Sequence, residues 1–273
     1  MHLAIVNQKG GVGKTTTAVS LAAGFARRGR RTLLVDCDAQ GSASLSVGLT
    51  RHELHHGLGA VLLDGAPVED AVHETATLGL WVLPGDRDLA NVDSAIGHVD
   101  GSERRLRDVL RGPDGPGEQY DAVVYDCPPN LGLATLGALL AADTYLVPVT
   151  PDYLAVEGLI SLFENLRSVE ARYDVARLLG VVLTVVDYHP RHAREIVVAI
   201  RGQYGDAVLH TEVKANVRIK EAPSFGRSIF DYEPTSTGAL AYEALTDEVL
   251  KRARALGLHV GTERVEAGQE VGT

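Results

Sequence analysis

The chain lacks the features that mark several protein classes. Its 273 residues include two cysteines, Cys37 and Cys127, which are too few for a disulfide framework and lack the spacing of a metal site. No apolar run approaches the roughly 20 residues that cross a bilayer. Residues 1–6 contain neither the basic segment nor the long apolar segment of a signal peptide. We therefore expect a soluble, cytoplasmic protein with no membrane partner.

Positive charge is also in short supply. The chain carries 26 Lys and Arg against 36 Asp and Glu, which gives a formal net charge of -10. This balance argues against a protein that coats nucleic acid with its whole surface, although a local basic patch can still bind DNA. The hydrophobic content of 45% excludes a disordered chain.

Short apolar runs alternate with amphipathic segments along the chain. The strands are predicted over residues 3–6, 32–35, 80–83, 122–125, 145–149 and 179–184. The helices are predicted around residues 18–25 and over residues 103–111, 131–142, 155–171, 191–203 and 237–256. This alternation predicts an α/β fold, with a single doubly wound, mostly parallel sheet and helices on both faces. We expect one domain over residues 1–260 and a polar tail over residues 261–273.

A glycine-rich turn with two lysines joins the first strand to the first helix. The turn is Lys9-Gly10-Gly11-Val12-Gly13-Lys14-Thr15-Thr16. In this context its backbone N–H groups converge on phosphate oxygens at the helix N-terminus, as in a P-loop NTPase. Lys14 would then contact the β- and γ-phosphates, and the Thr15 hydroxyl would bind Mg²⁺. The standard pattern has a glycine where Gln8 stands, and Lys9 is an additional lysine.

Three aspartates stand at the ends of predicted strands. Asp36 and Asp38 follow the second strand, and Asp126 follows the fourth. In a doubly wound sheet, ligands bind beyond the carboxyl ends of the strands, so these side chains are expected to face the phosphates and the metal. We expect Asp126 and Asp36 to support Mg²⁺ together with Thr15, directly or through water, and Asp38 to orient the attacking water.

These motifs resemble those of one ATPase family. Residues 9–16 are similar to the deviant Walker A motif of the ParA/MinD class, and the resemblance continues through residues 35–41, 126–129 and 216–224. The last of these segments is similar to the ParA/Soj branch. The resemblance implies that ATP and Mg²⁺ assemble a sandwich homodimer, in which Lys9 reaches the partner's phosphates. A second cation there would neutralise charge on the transferred phosphoryl group.

The resemblance also implies contacts to the base and to DNA. Asn216 matches a nucleotide-binding position, and Asp187 is expected to face the adenine. Residues 187–227 hold seven basic and five acidic residues, so their net charge is opposite in sign to that of the whole chain. The expected non-specific DNA contacts are Arg191, Lys214, Arg218, Lys220 and Arg227. Lys214-Ala215 stands where the branch commonly has Pro-Arg, which leaves open whether DNA binding is weakened.

The resulting hypothesis is an ATP-dependent DNA partition ATPase associated with the nucleoid. A ParB-like partner at a centromere site would stimulate its slow hydrolysis. One alternative is a MinD-like membrane-cycling ATPase, which needs a basic amphipathic C-terminal helix, whereas residues 262–270 are acidic and interrupted by glycine. Another alternative is a metabolic ligase on the same fold, for which the sequence identifies no substrate pocket.

Overall fold

Eight strands form one sheet in the computed structural model, which describes residues 1–50, 52, 56–113 and 115–261. The strands are β1 (His2–Ile5), β2 (Thr32–Asp36), β3 (His73–Glu74), β4 (Leu80–Leu83), β5 (Ala122–Asp126), β6 (Thr144–Val149), β7 (Arg177–Val186) and β8 (Val208–Lys214). Their order across the sheet is β3-β4-β2-β5-β1-β6-β7-β8. All neighbouring pairs are parallel except β3 and β4, so the predicted mostly parallel sheet is confirmed.

Helices follow most of the strands. Within the described ranges they are α1 (Lys14–Ala26), α2 (Ser42–Ser46), α3 (Leu58–Asp64), α4 (Val68–Ala71), α5 (Val92–Ile96), α6 (Arg105–Arg111), α7 (Leu133–Ala141), α8 (Ala155–Glu170), α9 (Arg191–Tyr204), α10 (Val217–Glu221), α11 (Ile229–Tyr232) and α12 (Thr237–Ala255). Short 3₁₀ turns include Arg87–Asn91 and Ala222–Phe225. The long helices confirm the predicted amphipathic segments. Helices α2 to α5, α10 and α11 were not predicted, because they are too short to show a clear 3.6-residue period.

Two hydrophobic cores cover the two faces of the sheet. Successive residues of a strand point to opposite faces, so Leu33 and Val35 belong to one core and Leu34 to the other. Helices α1 and α12 pack against the core of Leu34, and α7 and α8 pack against the core of Leu33. The doubly wound arrangement is therefore confirmed.

Two strands were not predicted. β3 has only two residues, and β8 carries exposed polar residues, among them His210 and Lys214. Both strands form edges of the sheet, where one side is left open to solvent and polar residues are tolerated. No helix in the described part of the chain is long and apolar enough to span a membrane. Residues 262–273, which make up most of the predicted tail, lie outside the described residues.

The central strands bring the predicted motifs to one edge of the sheet. β5 lies between β1 and β2, with Asp126 in register with both Ile5 and Asp36. The turn that contains residues 9–16 follows β1 at the same edge. A ligand that binds at this edge meets all of these segments at once, because the strands are parallel.

Candidate functional site

The glycine-rich turn wraps closely over the start of α1. Gly11 and Gly13 have φ angles of 76° and 79°, a left-handed conformation that side-chain-bearing residues rarely adopt. The Thr184 hydroxyl on β7 donates to the carbonyl oxygen of Val12 at 2.7 Å and ties the turn to the sheet. No side chain caps the N-terminus of α1. The first-turn N–H groups therefore face the space above the turn, where they suit an anion.

A cavity of about 620 Å³ opens above this turn. Its walls include Gly10, Gly11, Gly13, Lys14, Thr15, Thr16, Asp38, Ser42, Ser46, Thr184, Val185, Lys214, Asn216, Ile219, Lys220, Pro223 and Tyr242. The glycine-rich turn and the segment from β8 through α10 thus form two sides of one cavity. A cavity of this size accommodates a nucleotide-sized ligand.

Lys14 lies at the base of the cavity with its side chain largely buried. Its Nζ donates to the carbonyl oxygen of Lys9 at 2.9 Å, which folds the side chain back along the turn. Burial lowers the pKa of Lys14, while the negative charge of Asp126 acts in the opposite direction. The ammonium group is thus held where phosphate oxygens would replace part of its lost hydration.

Lys9 is held by an acidic residue of its own chain. Its Nζ donates to Oδ1 of Asp152 at 2.6 Å, and both side chains remain partly exposed. Asp152 follows β6 at the same edge of the sheet and was not identified from the sequence. Its only sequence signal is the position three residues after an apolar strand.

Asp126 is a buried carboxylate whose oxygens lack hydrogen bonds of ordinary geometry. Neither oxygen accepts such a bond from the described residues, although the Thr15 hydroxyl is near enough to act on the pKa of Asp126. Burial raises the pKa of Asp126 well above its usual value and the charge of Asp36 adds to this effect, while the Thr15 hydroxyl and Lys14 oppose it. A buried carboxylate in this situation is costly unless a cation or its water ligands satisfy it. Asp126 and Thr15 therefore fit the pair expected to hold Mg²⁺.

Asp36 accepts three hydrogen bonds from its own chain. Its Oδ2 accepts from the backbone N–H and the hydroxyl of Ser44 at 2.8 and 2.7 Å, and its Oδ1 accepts from the N–H of Asp38 at 3.2 Å. It is fully buried and is not part of the cavity wall. Oδ2 of Asp36 is thus turned toward α2 and Oδ1 toward the backbone of Asp38, and the expectation that Asp36 is a metal ligand stays a prediction.

Asp38 lies between two cavities. It lines the large cavity and also a neighbouring one of about 290 Å³, whose walls include Cys37, Leu89 and Asp93. Its Oδ1 accepts from the N–H of Gln40 at 2.9 Å. The carboxylate thus lies in the wall of the cavity that also contains Lys14, and its role in orienting water stays a prediction.

The structure separates the two residues expected near the base. Asn216 lies in the cavity wall and caps α10, where its side chain accepts from the N–H groups of Arg218 and Ile219. Its Nδ2 donates to the Thr237 hydroxyl at 2.8 Å. Asp187 is not in the cavity wall, because its carboxylate turns back to accept from the N–H of His189 at 3.0 Å.

The residues expected to contact DNA do not form one uniform face. Lys214 and Lys220 are exposed at the wall of the large cavity, and Arg218 forms a 2.9 Å ion pair with Glu221. Arg227 is exposed beside a small cavity near the end of α10. Arg191 begins α9, and its side chain is outside the described structure. Of these basic residues, Lys214 and Lys220 therefore border the nucleotide-sized cavity, whereas Arg218 and Arg227 are not in its wall.

Comparison with known proteins decides the family. A protein-family model described as an AAA domain matches residues 1–177. The chain is 40% identical over 251 residues to "Chromosome partitioning protein ParA" of Myxococcus xanthus, covering 92% of this chain and 88% of that protein. It is 41% identical over 255 residues to "Chromosome-partitioning ATPase Soj" of Thermus thermophilus, covering 93% and 96%. The chain belongs to the ParA/Soj family of ATPases.

Solved structures also resemble this ParA/Soj chain. The structure titled cobyrinic acid a,c-diamide synthase from Mycobacterium smegmatis, with bound ADP and magnesium, is 32% identical. It has a TM-score of 0.80 and covers 96% of this chain and 98% of that one. MinD of Pyrococcus horikoshii, complexed with Mg-ADP, has a TM-score of 0.73 at 27% identity and covers 92% and 96%. Proteins named for different functions thus share this fold. The function of this chain therefore has to be argued from the residues of its site.

Proposed function

We propose that this chain is a partition ATPase that switches between a free state and a DNA-bound homodimer. The observation that carries the proposal is the cavity above a turn with two lysines, in a chain about 40% identical to ParA and Soj proteins. ATP and Mg²⁺ are the proposed ligands. Hydrolysis transfers the γ-phosphoryl group to water, so the chain contributes positioning and electrostatics.

Each phosphate-side residue has a proposed role in this reaction. The N–H groups of residues 10–16 and the ammonium group of Lys14 hold the phosphates. The Thr15 hydroxyl and the unpaired carboxylate of Asp126 hold Mg²⁺, which neutralises phosphate charge when bound. Asp38 orients the attacking water from the cavity wall. Asn216 belongs to the wall expected to contact the base.

A second copy of the chain would complete the site through Lys9. In the described structure the ammonium group of Lys9 is paired with Asp152, so it has to leave this carboxylate to reach the partner's phosphates. Tyr153 and Leu154, directly after Asp152, are 88% and 52% exposed. These two exposed side chains beside Asp152 lie where the proposed partner would contact the chain.

DNA would bind without sequence preference through the basic residues around the cavity. Residues 187–227 have an excess of positive charge in a chain whose net charge is -10. Phosphate contacts by Lys and Arg give affinity without base readout, and this affinity falls steeply with salt. A ParB-like protein is the proposed activator that ends the DNA-bound state.

The test is DNA binding with ATP, with ADP and without nucleotide, across a series of salt concentrations. Binding is expected only with ATP, and its affinity should fall as salt rises. Lys14→Ala should lose nucleotide binding and therefore DNA binding. Asp38→Ala should keep ATP-dependent dimerisation and DNA binding but stop turnover. DNA binding independent of nucleotide, or normal turnover in Asp38→Ala, would overturn the proposal.

A ligase is the second candidate, because the 32% identical protein from Mycobacterium smegmatis is named a diamide synthase. A ligase of this type would hydrolyse ATP only with a small carboxylic acid and ammonia donor, independently of DNA. Activity with ATP and DNA but without such an acid would exclude it. For the MinD-like alternative, sedimentation of the ATP-bound chain with anionic liposomes provides the corresponding test.

A further inference from the structure

A buried hydrogen-bond network lies directly behind Asp38. Oδ2 of Asp36 accepts two hydrogen bonds from Ser44, and Oδ1 accepts one from the backbone N–H of Asp38. Asp36 and Ser44 are both completely buried. The two oxygens of one carboxylate therefore join the start of the loop at residue 38 to the helix α2 that closes it.

The network continues into the end of β4. The N–H of Gly85 donates to the Ser44 hydroxyl at 3.2 Å, so this hydroxyl donates to Asp36 and accepts from Gly85 at the same time. A Cβ added at Gly85 would meet the carbonyl oxygen of Asp38 and would lie 3.0 Å from Cγ of Asp36. The segment after β4 thus packs closely against the backbone of Asp38, and a side chain at Gly85 would displace that backbone.

The positions of these side chains argue against direct contact with the nucleotide or its metal. Ser42 and Ser46 of α2 line the large cavity, as Asp38 does, but Ser44 and Asp36 do not. The two oxygens of Asp36 already accept three hydrogen bonds, whereas those of Asp126 accept none from the described residues. Of the two carboxylates, Asp126 has the larger unused acceptor capacity for a cation.

We propose that Ser44 and Asp36 are positioning residues that hold Asp38 in place for the hydrolytic water, and that Asp36 is not a ligand of Mg²⁺. This inference rests on the proposed function, in which Asp38 orients the water. The carbonyl oxygen of Asp38 also accepts from the N–H of Gly41 at 2.9 Å, so its backbone is fixed from both sides. Because catalysis depends on sub-ångström placement, loosening Asp38 slows turnover without removing any group that binds ATP.

The test measures single-turnover ATP hydrolysis, ATP affinity and the Mg²⁺ concentration for half-maximal activity. Ser44→Ala removes one hydroxyl and leaves the backbone donor to Asp36 in place, so the chain should fold. Its hydrolysis rate should fall on the order of 10- to 100-fold, while the ATP dissociation constant and the Mg²⁺ requirement stay within about twofold. Asp36→Asn should give the same pattern, and excess Mg²⁺ should not restore its rate.

The matched control is Ser102→Ala, which removes another buried serine hydroxyl at a distance from the cavity. Equal loss of rate in Ser44→Ala and Ser102→Ala would reduce Ser44 to a structural role and overturn the inference. Recovery of Asp36→Asn at high Mg²⁺ would instead make Asp36 a metal ligand. If the wild-type chain binds ATP but never hydrolyses it, the proposed function fails and the inference fails with it. Wild-type turnover with an unchanged Ser44→Ala rate overturns the inference alone.

Discussion

At the scale of single residues, the ion pair between Lys9 and Asp152 competes with the role proposed for Lys9. The side chains are 35% and 42% exposed, and a pair with this exposure contributes about 0–1 kcal/mol. Lys9 cannot donate fully to this carboxylate and to a partner's phosphates at once. The ion pair within each chain therefore disfavours the proposed dimer by this small free energy.

Asp152→Asn should strengthen ATP-dependent dimerisation. The amide keeps the size of the carboxylate but no longer holds the ammonium group of Lys9 by charge. Each protomer breaks one such pair, so we expect the dimer association constant to rise by up to about 25-fold, which corresponds to about 2 kcal/mol. Analytical ultracentrifugation with a non-hydrolysable ATP analogue measures it. Asp174→Asn, an exposed aspartate just before β7 at the opposite edge of the sheet, is the control. A weaker or unchanged dimer in Asp152→Asn would contradict this explanation.

His2 makes stability depend on pH. Its Nδ1 lies 2.8 Å from the Tyr125 hydroxyl in a buried contact. Burial, with a further contribution from the charge of Arg111, lowers the pKa of His2 from 6.5 to about 3. As the pH falls below 6.5, the unfolded chain takes up a proton that the folded chain does not accept. The contribution of neutral His2 to the free energy of unfolding is therefore fully present above pH 6.5, and it is lost progressively as the pH falls toward 3.

Replacing His2 should flatten this pH dependence. His2→Gln cannot titrate, so the free energy of unfolding should fall less steeply between pH 6.5 and 5 than in the wild type. The expected difference in slope is about 1.4 kcal/mol per pH unit. Urea unfolding at several pH values measures it, and His259→Gln, at an exposed position, serves as the control. Parallel pH profiles for the wild type and His2→Gln would rule out His2 as the origin of the pH dependence of stability.

At the scale of elements, the close approach of α1 and α12 depends on a glycine. A Cβ added at Gly24 would meet the Thr246 hydroxyl and lie 3.1 Å from its Cγ2. Thr246 is completely buried, and its hydroxyl donates to the carbonyl oxygen of Tyr242 at 2.7 Å. Because α1 also carries the glycine-rich turn at its N-terminus, this contact supports the position of the site.

Gly24→Ala should destabilise the fold even though alanine favours helix formation. The helix gains about 1 kcal/mol from alanine, but overpacking a core costs about 1–3 kcal/mol. We expect a net loss of about 1 kcal/mol and a lower melting temperature. Adding Thr246→Ala should recover stability, because the new methyl group fills the space of the removed side chain. If the effects of Gly24→Ala and Thr246→Ala on the melting temperature are additive, the new methyl group and the Thr246 side chain do not occupy the same space.

Some helices and strands could be predicted from the sequence, and others could not. The long helices and central strands could be predicted, since their periodicity is local and their apolar runs are buried on both faces. α2 could not, because five residues carry no periodic signal. That helix holds Ser44, so the positioning role proposed for Asp36 depends on an element that sequence patterns do not show.

At the scale of the whole molecule, the N-terminus and the segment after α12 pack together at the edge opposite the cavity. The Met1 ammonium group donates to the carbonyl oxygen of His259 at 3.3 Å, and Nε of the buried Arg30 donates to that of Val260 at 2.9 Å. Val260 is itself buried in the core that α1 and α12 share. Contacts between the first 30 residues and the segment after α12 thus cover the end of the sheet opposite the cavity.

Val260→Ala should therefore destabilise the entire fold. The lost burial of two methyl groups and the resulting cavity should cost about 2 kcal/mol. Chemical denaturation measures the free energy of unfolding, with His259→Ala as an exposed neighbour for comparison. ATP affinity measured below the unfolding transition should be unchanged, since the segment lies away from the cavity. Equal stability of the two variants would mean that this segment contributes little to the fold.

The sequence by itself determined the alternation of the central strands with the long helices, the glycine-rich turn and the presence of Asp126 at a strand end. These features depend on contiguous residues, so local patterns are enough to predict them. The tertiary structure decided which groups meet: Lys9 with Asp152, 143 residues away, Asp36 with Ser44, and the segment of Asn216 with the glycine-rich turn. It also turned Asp187 away from the cavity. Such meetings depend on how parallel strands align their carboxyl ends, and that alignment is set by packing across the whole sheet.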